Sequence, residues 1–310
     1  MTALICGSLA FDTVMVFHGR FRDHILADRI HMLNVSFLAP TMRRGFGGCA
    51  GNIAYNLGLL GGRGAPMGTV GHDFGPYDRW LAERGVERRY LRVIEDEYTA
   101  QAFNTTALED NQITAFHPGA MNRSHLNEVP ADTGITLGIV APDGREGMVQ
   151  HAEQFAAAGI PLLFDPGQGL PMFDGEELLS FVAKATWIAV NDYEGQLLRE
   201  RTGLTHEEIA RRLRALVVTR GAEGSVIYAD GRRIEIPVAP VARVVDPTGC
   251  GDAFRAGLIF GIGEGLDWET TGRVASLMGA IKVEHEGTQQ HVFSSGDFRA
   301  RFREAFGREL

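Results

Sequence analysis

Short apolar runs and helical periodicities alternate along most of the chain, and their order predicts the architecture. Leu4 to Gly7 reads as a buried strand, and Ser8 to Asp12 lead from it to a second strand over Thr13 to Phe17. Gly19 to Met42 is a long excursion without helical periodicity, within which the β-prone residues His31 to Leu38 predict a strand leaving the main sheet. A small-residue helix is expected from Ala50 to Leu60. Gly68 to Gly75 reads as a turn after a strand, followed by a helix from Tyr77 to Arg84. Tyr98 to Leu108 and Gln112 to His117 alternate like a hairpin around Glu109-Asp110-Asn111.

From Ile135 the pattern becomes regular. Strands are expected at Thr136 to Val140, Pro161 to Asp165, Thr186 to Val190 and Ala215 to Thr219, with helices at Arg145 to Ala158 and Gly175 to Lys184 between them. A hairpin from Ser225 to Ile236 and helices at Ala253 to Ile262 and Trp268 to Glu284 follow. Such alternation implies right-handed βαβ crossovers and a mainly parallel sheet. The expected class is therefore α/β, three-layered, with the excursion and the Tyr98 hairpin forming a small discontinuous β lid. Residues 1–12, 47–97 and 118–310 would make the large domain, and 13–46 and 98–117 the lid.

Composition narrows the chemistry. A net charge of −9 without any basic block argues against a nucleic-acid surface. Lys184 and Lys282 are the only lysines and neither follows a glycine, so no lysine-bearing P-loop exists and phosphate must be held by backbone and arginine. Cys6, Cys49 and Cys250 are far apart and odd in number, which argues against disulfides and structural zinc. With no basic leader and no apolar run of about eighteen residues, a cytoplasmic protein without a membrane partner is expected.

The chemistry concentrates at Asp246-Pro247-Thr248-Gly249-Cys250-Gly251-Asp252-Ala253-Phe254. Pro247 disfavours helix before it, and the glycines make a turn that opens the apolar run beyond. The first N–H groups of a helix lack intrahelical partners, so Gly249, Cys250 and Gly251 would aim donors at an anion. Asp252 beside them would accept a proton from an attacking hydroxyl, unless it only caps the helix.

This nonamer resembles the signature of the ribokinase-like (PfkB-type) carbohydrate and nucleoside kinases, with Cys250 where an alanine is usual. The resemblance implies ATP and Mg2+ as cofactors and Asp252 as the catalytic base. It extends to Gly47-Gly48-Cys49-Ala50-Gly51-Asn52, which implies a sugar contact; tight helix packing is the alternative, and a dinucleotide fingerprint fits poorly. Asn191-Asp192-Tyr193-Glu194 resembles the family's magnesium and phosphate motif, with Glu194 acting through water, or else a helix cap at Asn191. Thr219, Gly221 and Gly224 match its nucleotide-edge motif. Further stretches, among them Phe116 to Met121, Asp165 to Gln168 and Gly287 to Gln289, resemble the bacterial adenosine kinases of this family.

That likeness implies phosphorylation of the adenosine 5′-hydroxyl. Asp12, Gly48 and Asn52 would hold the ribose, and Ser8, Ser36, Phe116 and Gln168 the base. Two positions depart from the expectation: Ala102 stands where an aromatic would, with Phe103 one place along, and Gly169 stands where a second glutamine would. A one-residue step reverses a strand side chain's face, so Phe103 is not expected to substitute. Another nucleoside kinase, a sugar kinase and a silent nucleoside-binding sensor remain the alternatives. A homodimer through the lid is compatible with the same architecture.

Overall fold

The computed structural model describes residues 2–25, 35–108, 111–130 and 134–310. Its strands in chain order are β1 (Thr2–Cys6), β2 (Ala10–Val16), β3 (Thr41–Gly47), β4 (Arg63–Gly71), β5 (Leu91–Ile94), β6 (Ala100–Thr106) and β7 (Gln112–His117). They continue with β8 (Leu137–Val140), β9 (Leu162–Phe164), β10 (Trp187–Asn191), β11 (Ala215–Thr219), β12 (Ser225–Ala229) and β13 (Arg232–Ile236). The helices are α1 (Cys49–Leu59), α2 (Gly75–Glu83), α3 (Arg145–Ala157), α4 (Gly175–Lys184) and α5 (Asp192–Thr202). After them come α6 (His206–Ala210), α7 (Cys250–Gly263), α8 (Trp268–Val283) and α9 (Ser295–Phe306).

The strand β1 shows why the large sheet is central. Successive side chains point to opposite faces, and Ala3 and Ile5 on one side are as buried as Leu4 and Cys6 on the other. Ala3 and Ile5 share a core with Ile53 and Leu57 of α1, Tyr77 and Leu81 of α2, and Leu258 of α7. Leu4 and Cys6 share another with Met148 and Phe155 of α3, Phe181 of α4 and Leu198 of α5. Helices therefore cover both faces, giving three layers.

The large sheet has the spatial order β13-β12-β11-β10-β9-β8-β1-β4-β5. It is parallel from β11 to β5, while β12 and β13 add an antiparallel edge. From β1 the chain first builds outward through β4 and β5, then returns to β8 on the other side of β1. That reversal is a topological switch point, where open α/β sheets hold ligands beyond the carboxyl ends of their strands. The two loops meet there, with the Ser8 amide donating to the Pro142 carbonyl at 3.0 Å.

A second sheet has the order β3-β2-β6-β7. Its strand β2 begins at Ala10, so Asp12 lies within this small sheet and not in a linker before it. Of the strand expected at His31 to Leu38, residues 31–34 lie outside the described residues and 35–40 form no regular element. The strand is instead β3, paired antiparallel with β2. A strand therefore does run into the glycines at 47 and 48, Gly47 being its last residue. It pairs antiparallel with β2, in a mixed sheet whose β2 and β6 are parallel, so the unit is not the parallel βαβ of a dinucleotide site.

Candidate active site

The helix α7 starts at Cys250 because Gly249 turns the chain. Gly249 has φ 78°, a left-handed conformation, and a Cβ there would also stand 3.0 Å from Thr288 Cγ2. Asp246 closes the preceding turn: one carboxylate oxygen accepts from the Thr248 amide and the other from the Gly287 amide, both at 2.9 Å. The expected three-amide anion hole needs one correction. The Cys250 amide already donates to the Pro247 carbonyl at 3.2 Å, whereas the amides of Gly249 and Gly251 have no acceptor among the described residues. The donors left for an anion are thus these two, at the positive end of a fourteen-residue helix.

Asp252 lies in the first turn of α7. Its Oδ2 accepts from Asn52 Nδ2 of α1 at 2.7 Å. Burial pushes its carboxyl up to about 7; the Asp165 carboxylate adds to this, while Asn52, Arg255 and Cys49 oppose it. A carboxylate titrating there is matched to general-base work near neutral pH. One turn along α7, the Arg255 guanidinium is held by Asp165, just past β9, at 2.9 Å, and by the Glu194 carboxylate at 4.0 Å.

Asp165 opens one of the stretches that resemble the adenosine kinases and Arg255 follows the nonamer by one residue, but the sequence alone gives neither a role. Their side chains are 6 % and 5 % exposed. The available signal was an arginine inside the apolar run Ala253 to Leu258, a position normally tolerated only with a buried partner.

The switch point brings the sugar-side candidates together. Gly48, with φ 84°, caps α1; a Cβ there would come within 2.5 Å of the Ser8 carbonyl, so the chain passes this close only as glycine. The Ser8 hydroxyl accepts from the Cys49 amide at 3.1 Å, which occupies part of the capacity expected to meet a base. Asp12 is pushed up to about 6 by burial and by the Asp246 charge, with Arg43 opposing.

In the small sheet Asp12 lies directly opposite Ala102, and Ala102 directly opposite Phe116. Directly paired residues share a face, so these three form one row. Phe103 pairs with Thr13 and Ala115 instead, on the other face, and does not replace the aromatic missing at Ala102. Ser36 and Gln168 are exposed, and neither side chain makes a hydrogen bond among the described residues.

Of the residues expected to meet the nucleotide, Asn191 and Thr219 stand side by side at the carboxyl ends of β10 and β11. Asn191 is the last residue of β10 and caps α5. Its Oδ1 accepts from the Glu194 amide at 2.7 Å, and Glu194 Oε2 and Oε1 accept from the Asn191 amide and Nδ2 at 2.8 and 2.9 Å. The helix-cap reading therefore holds, and the same geometry fixes the Glu194 carboxylate. Gly221 and Gly224 bracket the turn after β11, closed by the Arg220 amide on the Gly224 carbonyl at 2.8 Å.

Among the described residues no helix is long and apolar enough to cross a membrane. A family model for the pfkB family carbohydrate kinases matches residues 12–293. A nucleoside kinase of Burkholderia thailandensis, solved in complex with inosine, has 53 % identity and a TM-score of 0.90 over 99 % of both chains. In its ADP-inosine complex the figures are 54 % and 0.88, over 99 % of this chain and 97 % of that one. A nucleoside kinase of Methanocaldococcus jannaschii is 32 % identical over 263 residues, 84 % of this chain and 86 % of the relative. The sheet order, the glycine turn into α7 and these matches agree: the chain belongs to the pfkB carbohydrate kinase family, as one of its ribokinase-like nucleoside kinases.

Proposed function

We propose that the protein transfers the γ-phosphoryl group of ATP to the 5′-hydroxyl of a purine nucleoside, accepting both adenosine and inosine. The carrying observation is Asp252, a carboxylate titrating near neutral pH beside two unpaired helix-start amides. Asp252 takes the hydroxyl proton as the oxygen attacks. The Gly249 and Gly251 amides stabilise the charge on the transferring phosphoryl group. Asp12 accepts from the ribose hydroxyls, and the second Nδ2 proton of Asn52 is available to one of them.

Phe116 would pack on the base, and movement of the small sheet over the cleft would bring Ser36 to it and exclude water. With Ser36 and Gln168 exposed and Ala102 small, few groups are preset against one purine or another. That is the reason for including inosine, the ligand of the Burkholderia enzyme. Among the described residues no group of three or more metal-ligating side chains converges. Magnesium would accordingly arrive with ATP and keep most of its waters, one of them held by the carboxylate of Glu194.

The test is kcat/KM for adenosine, inosine, guanosine, cytidine, ribose and fructose with ATP and magnesium, together with Asp252→Asn. The purine nucleosides should lead, and the variant should keep its fold and lose roughly two to four orders of magnitude in kcat, the scale of general-base help. Ribose or fructose ahead of every nucleoside would establish a sugar kinase. Nucleoside binding without ATP consumption would establish a sensor.

A further inference from the structure

Asn52 is an amide, and an amide can meet a carboxylate with either end. Its Nδ2 favours the ionised form, whereas its Oδ1 would require a protonated acid. Which end faces Asp252 is decided by a chain of contacts behind it. The indole Nε1–H of Trp80, which can only donate, meets Gln289 Oε1 at 3.0 Å. Gln289 Nε2 therefore faces the other way, donating to Tyr77 Oη at 2.6 Å and Asn52 Oδ1 at 2.9 Å. Tyr77 supplies an independent check. Its hydroxyl donates to the Gly47 carbonyl at 2.9 Å, and a carbonyl can only accept, so Tyr77 has lone pairs alone to offer Gln289.

Two anchors of fixed polarity, the Trp80 indole and the Gly47 carbonyl, thus orient one glutamine. With Gln289 donating to Oδ1, only Nδ2 of Asn52 remains for Asp252. The arrangement is buried: Tyr77 is 0 %, Gln289 1 % and Asn52 3 % exposed. It also accounts for Gly51, because a Cβ there would lie 2.0 Å from Tyr77 Oη. We propose that Trp80, Tyr77 and Gln289 are positioning residues that hold Asn52 with its amide nitrogen toward Asp252, so that the carboxylate always meets a donor.

The effect follows from what protonation of Asp252 would demand. A neutral carboxylic acid is best met by an acceptor, and Asn52 can supply one only by turning over and breaking its bond from Gln289. The relay thereby favours the ionised form of Asp252, against the burial that raises its carboxyl. The other titratable groups acting on Asp252 are Asp165 beyond β9, Cys49 of α1, Tyr77 of α2, and Cys250 and Arg255 of α7. Of these Gln289 touches only Tyr77, whose hydroxyl burial keeps neutral, so replacing Gln289 changes no charge around Asp252.

The inference rests on Asp252 being the base for its catalytic meaning, so its test reads the carboxyl itself. The Asp252 carboxyl is titrated by 13C NMR, its signal assigned by its absence from Asp252→Asn. In Gln289→Met the midpoint should rise by roughly one pH unit, the scale of one hydrogen bond to a carboxylate. Asn52→Leu should raise it too, and adding Gln289→Met to Asn52→Leu should move it no further. Tyr77→Phe and Trp80→Phe each leave one anchor, so each should shift it less than the two together; this pair serves should Gln289→Met not fold. An unmoved midpoint in Gln289→Met, or full additivity with Asn52→Leu, overturns the relay. If the midpoint moves but the acidic limb of kcat/KM does not follow, the relay stands and the base assignment fails.

Discussion

Arg255→Met tests the buried ion pair behind Asp252. The Arg255 guanidinium and the Asp165 carboxylate meet at 2.9 Å with side chains almost wholly excluded from water. Methionine keeps much of the aliphatic stem and removes the charge, leaving Asp165 buried without its cation. Breaking such a pair from one side costs about 3–5 kcal/mol. With an unfolding entropy of about 2.1 cal/mol/K per residue over 310 residues, or about 0.65 kcal/mol/K, this reads as a Tm lower by roughly 5–8 °C.

The loss should depend on pH, with a definite sign. Burial already holds Asp165 above the ordinary carboxylate range while Arg255 pulls it down. Without Arg255 the folded-state pKa rises further above the unfolded value, so the folded protein binds the extra proton and stability falls as pH rises between the two. Calorimetry at pH 8 should therefore show the full drop, and at pH 5.5 a smaller one. Asp165→Asn is the comparison, because a stranded guanidinium cannot lose its proton and the loss should change little over the same range. An Arg255→Met drop below 2 °C, or one equal at both pH values, would refute the reasoning.

The acidic limb of kcat/KM should fall near pH 7, where Asp252 titrates, with activity rising as the base ionises; a limb below pH 5 would show that Asp252 is not the group reporting. Glu194→Gln should raise the magnesium needed for half-maximal rate, since a neutral amide holds a metal-bound water less strongly, and an unchanged magnesium titration would leave Glu194 only its cap on α5. Gly249→Ala forces a side chain into a left-handed turn against Thr288; it should cost about 1–3 kcal/mol by denaturant melts and raise the KM for ATP, and a variant with wild-type KM would argue against the turn as a phosphate site.

The regular half of the chain was the most legible part. The helix at Gly175 to Lys184 and the strand at Ala215 to Thr219 coincide with α4 and β11 at both ends. Asp174 and Glu177 make a capping box that punctuates the first, and a continuous apolar run buried on both faces marks the second. The small sheet was less legible for a related reason. The first four residues of β3, Thr41 to Arg44, are exposed, and glycine and arginine leave no period-two pattern to read. That strand exists because β2 offers it a backbone partner along seven residues. The four-residue edge strand β5, whose two middle residues are exposed, offers as little pattern.

By itself the sequence determined the mainly parallel sheet, the turn that starts α7, and the placement of an acid beside its first amides. These are local matters of periodicity and of glycine and proline geometry. The tertiary structure decided which of those amides is free, since the Pro247 carbonyl claims that of Cys250. It also decided the company Asp252 keeps. Asn52 lies 200 residues away in the chain, Gln289 lies 237 from Asn52, and Arg255 lies 90 from Asp165. Hydrogen bonds between side chains are short and directional, and nothing periodic along the chain encodes them. They form only when α1, α2, α7 and the segment after α8 have packed and buried groups must find partners.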